Sequence, residues 1–556
     1  MRTPLGISEA TFTSALEAFA GVVGDQWVLT SDADMHTYRD AYTPLRNEPD
    51  ERVASAAVAP QSVEEVQEIV RIANRYKIPL YAISTGRNLG YGGSAPAYSG
   101  SVVVDLKRMN QIIEVNDSNH YAIVEPGVSY FDLYNYCIEN EKKVWLDVPD
   151  PGWGSVVGNA LDHGVGHTTS RFRNHFDAHC GMEVVLPSGE LLRTGMGAMP
   201  NSQTWAQYKS GLGPIIDGLF SQSNMGIVTK MGFWLMPEPE AYLQGTVAVR
   251  RYDDLHDLVE VLKYVENMAI AQGAPEMASP LLGAGGDTKT LVNTFLNGPP
   301  QFDRNHRDLI AGAELGYSRE LEQYGLDNNI PYWTFHVSFY GPRKVVEAQW
   351  EAVQDIMAER VGDAIFNAHD VVTDRHSVNS SEIYAQNLGI PNLEFFAMGT
   401  RTGGQPPSRG HLFFSPVIPQ TAEGILEANR VFSQAVREIP LLQQVPMFNL
   451  LPFSLPTAFY ERSFMMVIGF PVLDNQEINK SSVAAFRELI NIAAAQGWGE
   501  YRTSPVFQDQ VMQAYSFNDN ALLRFHETIK DALDPNGIIS PGRYGIWPRN
   551  LRGRSS

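Results

Sequence analysis

The sequence predicts an α+β protein of more than one domain, on three observations. At 556 residues the chain exceeds the roughly 250–300 at which a single hydrophobic core stops growing, so two to four domains are expected. A βαβ unit opens a long stretch of short β-branched runs separated by turn signals. After Pro237 and Pro239 the texture changes to longer amphipathic helices alternating with strands, which puts a domain boundary near residues 240–250.

The elements follow in order. SEATFTSALEAFAGVVG has apolar residues recurring at three and four and reads as a helix that stops at Gly24 or before. From Val53, the strand AAVAP, the amphipathic helix SVEEVQEIVRIANRYK and the strand IPLYAIST make the βαβ unit. SVVVDL, IIEVN, YAIVEPG, GMEVVLPSGELLRTG and GIVTKMGFWLMPEP read as strands and turns. Beyond the boundary, YDDLHDLVEVLKYVENMAIAQ and RKVVEAQWEAVQDIMAERV read as helices and YWTFHVSFYG as a strand. The last stretch, ALLRFHETIKDALDPNGIISPGRYGIW, ends a helix at the turn 534–537 and runs out extended, placed to return to the first domain.

Composition narrows the partners. The formal net charge is −21 and no Lys/Arg cluster offers a positive stripe, which argues against nucleic acid. The N-terminus MRTPLGISEATF has no apolar stretch suited to a signal peptide or membrane span, and Cys137 and Cys180 read as buried thiols, so a cytoplasmic protein without a membrane partner is expected.

Three glycine-rich segments carry the first chemical signal. ISTGRNLGYGG sets Gly86, Gly90, Gly92 and Gly93 directly after an apolar strand, where backbone N–H groups can approach a diphosphate without side-chain clash. It is not the GxGxxG of a doubly wound dinucleotide fold and opens no helix. PDPGWGSVVGNALDHGVGH and SQSNMGIVTKMG follow in the same half, and small residues at Gly154, Ser155, Gly158, Gly226 and Thr229 would let an extended cofactor lie against the backbone.

GRNLGYGGSAP, EPGVSYFDLYNY, WLDVPDPGWGSVVGN, MEVVLPSGELLRTGMGA, FSQSNMGIVTKMG, HLFFSPV, GWGEYRT and ALDPNGIISPG, in this order, resemble the vanillyl-alcohol oxidase and para-cresol methylhydroxylase flavoprotein family, which includes eugenol oxidase. The resemblance implies a two-domain fold: a bipartite FAD-binding domain from residues 1–245 and the returning segment 499–556, with an α+β cap from 246–498. It implies FAD as cofactor, contacted by Ser84, Thr85, Gly86, Arg87, Asn88, Leu89, Gly90 and Gly92 in the first turn and by Pro126, Gly154, Ser155, Gly158, Asn159 and Gly164 after it. Gly226, Ile227, Val228 and Arg543 complete that set. It also implies a covalent flavin bond at His411 of HLFFSPV, the histidyl position of the family.

The family's reaction removes hydride from the carbon para to a phenol and leaves a para-quinone methide, a step that needs phenolate. At neutral pH ionising a phenol costs ~4 kcal/mol, and a fixed cation with hydrogen-bond donors recovers ~1–3 pH units of it. Tyr501 and Arg502 of GEYRTS, with Tyr91 of the glycine turn, match the family's phenolate partners, and Arg suits the task because its guanidinium stays charged. Asp150 of DVPDPGWG matches the acid/base residue, and Asp147 falls outside that position. An oxidase acting on a phenolic substrate with molecular oxygen is expected; a cytochrome c-linked dehydrogenase is the alternative, and a flavin carrier without turnover the third reading.

Three departures stand out. GVGHTTSRFRNHFDAH places His167 where relatives have an active-site tyrosine, and imidazole can donate, accept or carry charge near neutral pH. TAFYERSFMMVIGF carries Ser463 and Phe464 about where relatives have two histidines, and YTPLRNEPDERVAS lacks the histidine that assists flavin attachment in vanillyl-alcohol oxidase. His163, His167, His175 and His179 are expected to pack or hydrogen-bond and to bind no metal. The short stretch GAMPNSQTWAQYKSGLGP points to a homodimer in place of the octamer built by vanillyl-alcohol oxidase.

Overall fold

The computed structural model describes residues 3–168, 173–273, 275–285, 301–378, 383–394, 408–443, 457–460 and 462–553. The first helix, Glu9–Val23, is capped by Ser8 and ends at Gly24, whose φ of 90° only glycine adopts at low cost. The βαβ unit forms as strand Ala56–Val58, helix Val63–Tyr76 and strand Leu80–Ile83, but the two strands are not neighbours. Strand Val102–Asp105 runs parallel between them, pairing Val103 with both Ala57 and Tyr81. All of Val102–Asp105 is buried, as a strand covered on both faces must be.

A second, antiparallel sheet is ordered Ile112–Asn116, Tyr121–Val124, Ile227–Trp234, His179–Val185, Leu191–Arg193. The two sheets have separate apolar cores that share the first half of the chain with the C-terminal segment, which contributes Ile538 and Ile539 to one and Ile546 to the other. That segment is pinned by backbone pairing: Leu80 N–H donates to Ile538 O at 2.7 Å and Ser540 N–H to Leu80 O at 2.8 Å. The buried Lys530 ammonium donates to Asn224 O and Ile539 O and pairs with Asp534 at 2.8 Å, so the tail locks onto the turn before Gly226.

Residues 241–511 hold a third core under a larger antiparallel sheet, in which Ala241–Val249 pairs with Trp333–Gly341 along its whole length. Helices Leu255–Asn267, Arg343–Arg360, Ala422–Glu438 and Gln476–Ala495 bury their apolar stripes against this core. A separate two-stranded antiparallel sheet, Ser408–Phe414 with Ile468–Leu473, carries His411. A buried ion pair ties the two halves: Arg173 donates to Glu266 at 2.7 Å, and Gln420 holds the other Glu266 oxygen at 3.0 Å. No helix of the described residues is long and apolar enough to cross a membrane.

Candidate active site

A cavity of about 510 Å³ opens where the first half, the cap and the C-terminal segment meet. It is of the size that cofactor and substrate sites occupy. From the expected set, Ser84 to Leu89, Pro126, Gly154, Ser155, Gly158, Asn159, Gly226, Ile227, Val228, His411 and Arg543 line it, together with Tyr91, Asp150, His167, Tyr501 and Arg502.

Gly90, Gly92 and Gly164 stand behind the wall. A Cβ at Gly90 would meet the His411 carbonyl at 2.9 Å, one at Gly92 the Pro505 ring at 2.5 Å, and one at Gly164 the Asn159 side chain at 2.1 Å. Their smallness lets neighbouring chain close up at these three positions.

The wall suits a long dinucleotide for the reason the glycines suggested. A Cβ at Gly158 would lie 2.2 Å from Ser84 Oγ, and one at Gly226 2.6 Å from Val184, so bare backbone is the only fit there. Ser155 caps the short helix Val156–Leu161 and also donates to Pro126 O at 2.6 Å, joining two predicted contact points.

One end of the cavity is built around arginine. The Arg502 guanidinium lies 3.8 Å from the Tyr91 ring centre. Its Nε donates to Asp162 Oδ2 at 3.0 Å and its Nη2 to Asn88 Oδ1, while the Asn88 amide donates to the same Asp162 oxygen. Arg543 takes the other Asp162 oxygen at 3.1 Å and donates to Tyr81 at 2.8 Å. Burial raises the Tyr91 phenol well above its ordinary value, as does Tyr501, against the pull of Arg502. Tyr501 is likewise raised by burial and hydrogen-bonds to Tyr91 and Arg502. Both phenols therefore stay O–H donors at neutral pH beside a fixed cation.

The other end is built around Asp150. Its Oδ2 meets His167 Nε2 at 2.9 Å, and its Oδ1 accepts from Tyr384 at 2.6 Å and from Gln386. Burial works to lower the His167 imidazole, but the attraction of Asp150 outweighs it and the net shift is upward. Glu276 of the cap lines the same wall and adds to that attraction. Asp147 braces the loop instead, accepting from Thr168 N–H and Oγ1, both at 2.8 Å, and from His175 at 3.1 Å.

The remaining histidines disperse: His163 to Ser221 at 2.7 Å, His175 to Tyr130 at 2.8 Å, and His179 to Asp217 at 3.2 Å. His411 lies in the cap wall with Tyr42 edge-on at 5.1 Å and Phe413 at 4.5 Å, and burial lowers it to about 4, so its imidazole is uncharged at neutral pH, with one ring nitrogen bare and the other carrying hydrogen. Phe464 packs into the cap core, and Val467 and Gly469 make the nearby cavity wall. Residues 169–172 of the altered loop lie outside the described residues.

Asp162, Tyr384, Gln386 and Glu276 were missed from the sequence. Asp162 was in view inside GNALDHGVGH, a lone carboxylate at a glycine-rich helix end. Tyr384 and Gln386 sit more than 230 positions from Asp150 and carry no local signal.

The fold and this cavity define an FAD-dependent oxidoreductase, and the FAD-binding domain family matches residues 54–195. Over 98% of its length and 97% of the relative's, the chain is 34% identical to the 4-cresol dehydrogenase [hydroxylating] flavoprotein subunit of Pseudomonas putida. It superposes with a TM-score of 0.80 on 4-ethylphenol oxidase from Gulosibacter chungangensis in complex with isoeugenol, at 35% identity, covering 99% of this chain and 100% of that one. A p-cresol methylhydroxylase with substrate bound also gives 0.80, at 31% identity over 98% of this chain and 99% of that one. The chain belongs to the vanillyl-alcohol oxidase and para-cresol methylhydroxylase flavoprotein family.

Proposed function

We propose that this protein oxidises para-substituted phenols, namely 4-alkyl- or 4-allylphenols or 4-hydroxybenzyl alcohols, with molecular oxygen as acceptor. The observation that carries the reading is that two groups line one cavity: Arg502 with Tyr91 and Tyr501, and Asp150 with His167. The first binds the phenolic oxygen as phenolate, with Arg502 supplying charge and the two hydroxyls donating. FAD, held along the wall from Ser84 to Leu89 and by Gly154, Ser155, Gly158 and Arg543, would supply the hydride acceptor for the para side-chain carbon and, with oxygen as final acceptor, the route to hydrogen peroxide.

Loss of hydride from the phenolate leaves a neutral para-quinone methide, held by the same three residues. Water then adds at the side-chain carbon, its proton passing to the Asp150–His167 pair while the ring oxygen regains negative charge. Tyr384 and Gln386 fix Asp150 in place for that step. His411 is proposed as the flavin attachment residue, its unprotonated imidazole being the form able to bond. Residues 1–245 and 499–556 are proposed as the FAD-binding domain and 246–498 as the cap, in a cytoplasmic homodimer.

Anaerobic mixing of the holoprotein with 4-ethylphenol tests the reaction. Bleaching of the flavin followed by fast reoxidation in air is expected. Bleaching with slow reoxidation supports a cytochrome-linked dehydrogenase instead, and absence of bleaching overturns phenol oxidation. Acid precipitation tests the link: yellow colour that stays with the protein requires a covalent flavin, and colour released to the supernatant removes His411 from that role.

A further inference from the structure

We propose that Asp162 is the positioning residue of the phenolate site: shared between Arg502 and Arg543, it aims the Arg502 guanidinium and leaves this end of the cavity with one net positive charge, matched to a singly charged phenolate. The inference rests on the phenol-oxidising reading of the same cavity and adds what limits its charge.

Three segments distant in sequence, those of Asn88, Arg502 and Arg543, converge on this one carboxylate. Asp162 closes the helix Val156–Leu161 at its C-terminal end, is 5% exposed and lines the cavity. Oδ2 takes Arg502 Nε and the Asn88 amide, and Oδ1 takes Arg543. Because Asn88 also accepts from Arg502 Nη2, Asp162, Asn88 and Arg502 form a closed ring of hydrogen bonds. An arginine held at both Nε and Nη2 has one orientation, which is what a cation must have to meet an oxygen placed by two tyrosines.

The charges close simply. The groups facing Asp162 are Arg502, Arg543, Tyr81, Tyr91, Tyr501 and His163. The three phenols are raised by burial and stay neutral. His163 is lowered by burial and is neutral as well. Glu500, next to Tyr501 in the chain, is raised by burial and has Ser415 and Thr503 as its partners. Among the groups facing Asp162, two guanidinium groups and one carboxylate remain; Arg52, which also acts on Tyr81, has Asp509 as its own counter-charge. Without Asp162 two cations would repel across the gap it now fills, and without Arg543 the carboxylate would cancel Arg502.

The test is a spectral titration of 4-nitrophenol bound to the holoprotein, a phenol whose ionised form is coloured and which has no benzylic hydrogen to lose. Asp162→Asn should shift the ionisation of the bound phenol to lower pH by about one unit or more, because the carboxylate no longer offsets the cations. Arg543→Gln should shift it to higher pH by a similar amount. Reduction by 4-ethylphenol should fall about tenfold or more in Asp162→Asn, because Arg502 loses its aim although the site has become more positive.

Opposite shifts in the two variants support the proposal; shifts of the same sign, or none, overturn it. Should Asp162→Asn fail to fold, the upward shift in Arg543→Gln decides alone. A wild-type flavin that 4-ethylphenol does not bleach, with the opposite shifts intact, sinks the phenol-oxidising reading and leaves the charge role of Asp162 standing.

Discussion

The two ends of the cavity solve different problems. At the arginine end every donor and acceptor comes from the first half of the chain or its returning tail, and the charges are fixed, because neither guanidinium loses its proton at neutral pH. The carboxylate end bridges the halves: Asp150 and His167 come from the first, Tyr384 and Gln386 from the middle of the chain. His167, raised by Asp150 against the effect of burial, is the titratable cation there. On the proposed reading, the molecule keeps permanent charge where the phenolate is held and an exchangeable proton where water is activated.

Arg502→Ala breaks the fixed end. Anaerobic reduction by 4-ethylphenol should slow by about 10³-fold, the upper range for losing a preorganised charge partner. A rate within tenfold of wild type would remove Arg502 from the phenolate role. Asp150→Asn breaks the exchangeable end and should cost about 10²-fold in the formation of hydrated product. If bleaching by 4-ethylphenol stays fast in this variant while hydration fails, the division between the ends is sharpened; equal loss of both steps blurs it.

A smaller effect is expected of Tyr384→Phe, which removes one of three donors to Asp150 and should slow turnover about fivefold, equivalent to ~1 kcal/mol. Measurement of turnover against the unchanged binding of 4-nitrophenol at the far end reports it. The smallest effect is on stability. Because His167 is raised in the folded state, its contribution is fully present below the unfolded value near ~6.5 and is lost as pH rises through the folded value. The Tm difference between wild type and His167→Gln should accordingly be larger at pH ~6 than at pH ~9, and a difference that grows with pH contradicts the pairing.

Much of the site was legible because its residues sit in short segments whose local composition is unusual. The turn after strand Leu80–Ile83, the GWGSVVGN segment and GEYRTS each bring their own chemistry, and all reach the cavity wall. A glycine needed for backbone packing looks the same in sequence as one needed at a ligand, and at Gly90, Gly92 and Gly164 an added Cβ would meet neighbouring chain. The βαβ unit was readable as elements, yet not as a sheet, since nothing local reveals that Val102–Asp105 slips between its strands.

The sequence by itself determined the class of fold, since strand and helix periods are properties of neighbours along the chain, while FAD and the candidates Tyr91, Tyr501, Arg502, Asp150 and His167 came from the resemblance of eight ordered segments to a known family. Only the tertiary structure decided that Asp162 stands between two arginines and that Tyr384 and Gln386 hold Asp150. Those contacts join positions 234 to 381 residues apart, and a buried carboxylate takes its role from whichever cation or hydroxyl folding brings within hydrogen-bond reach.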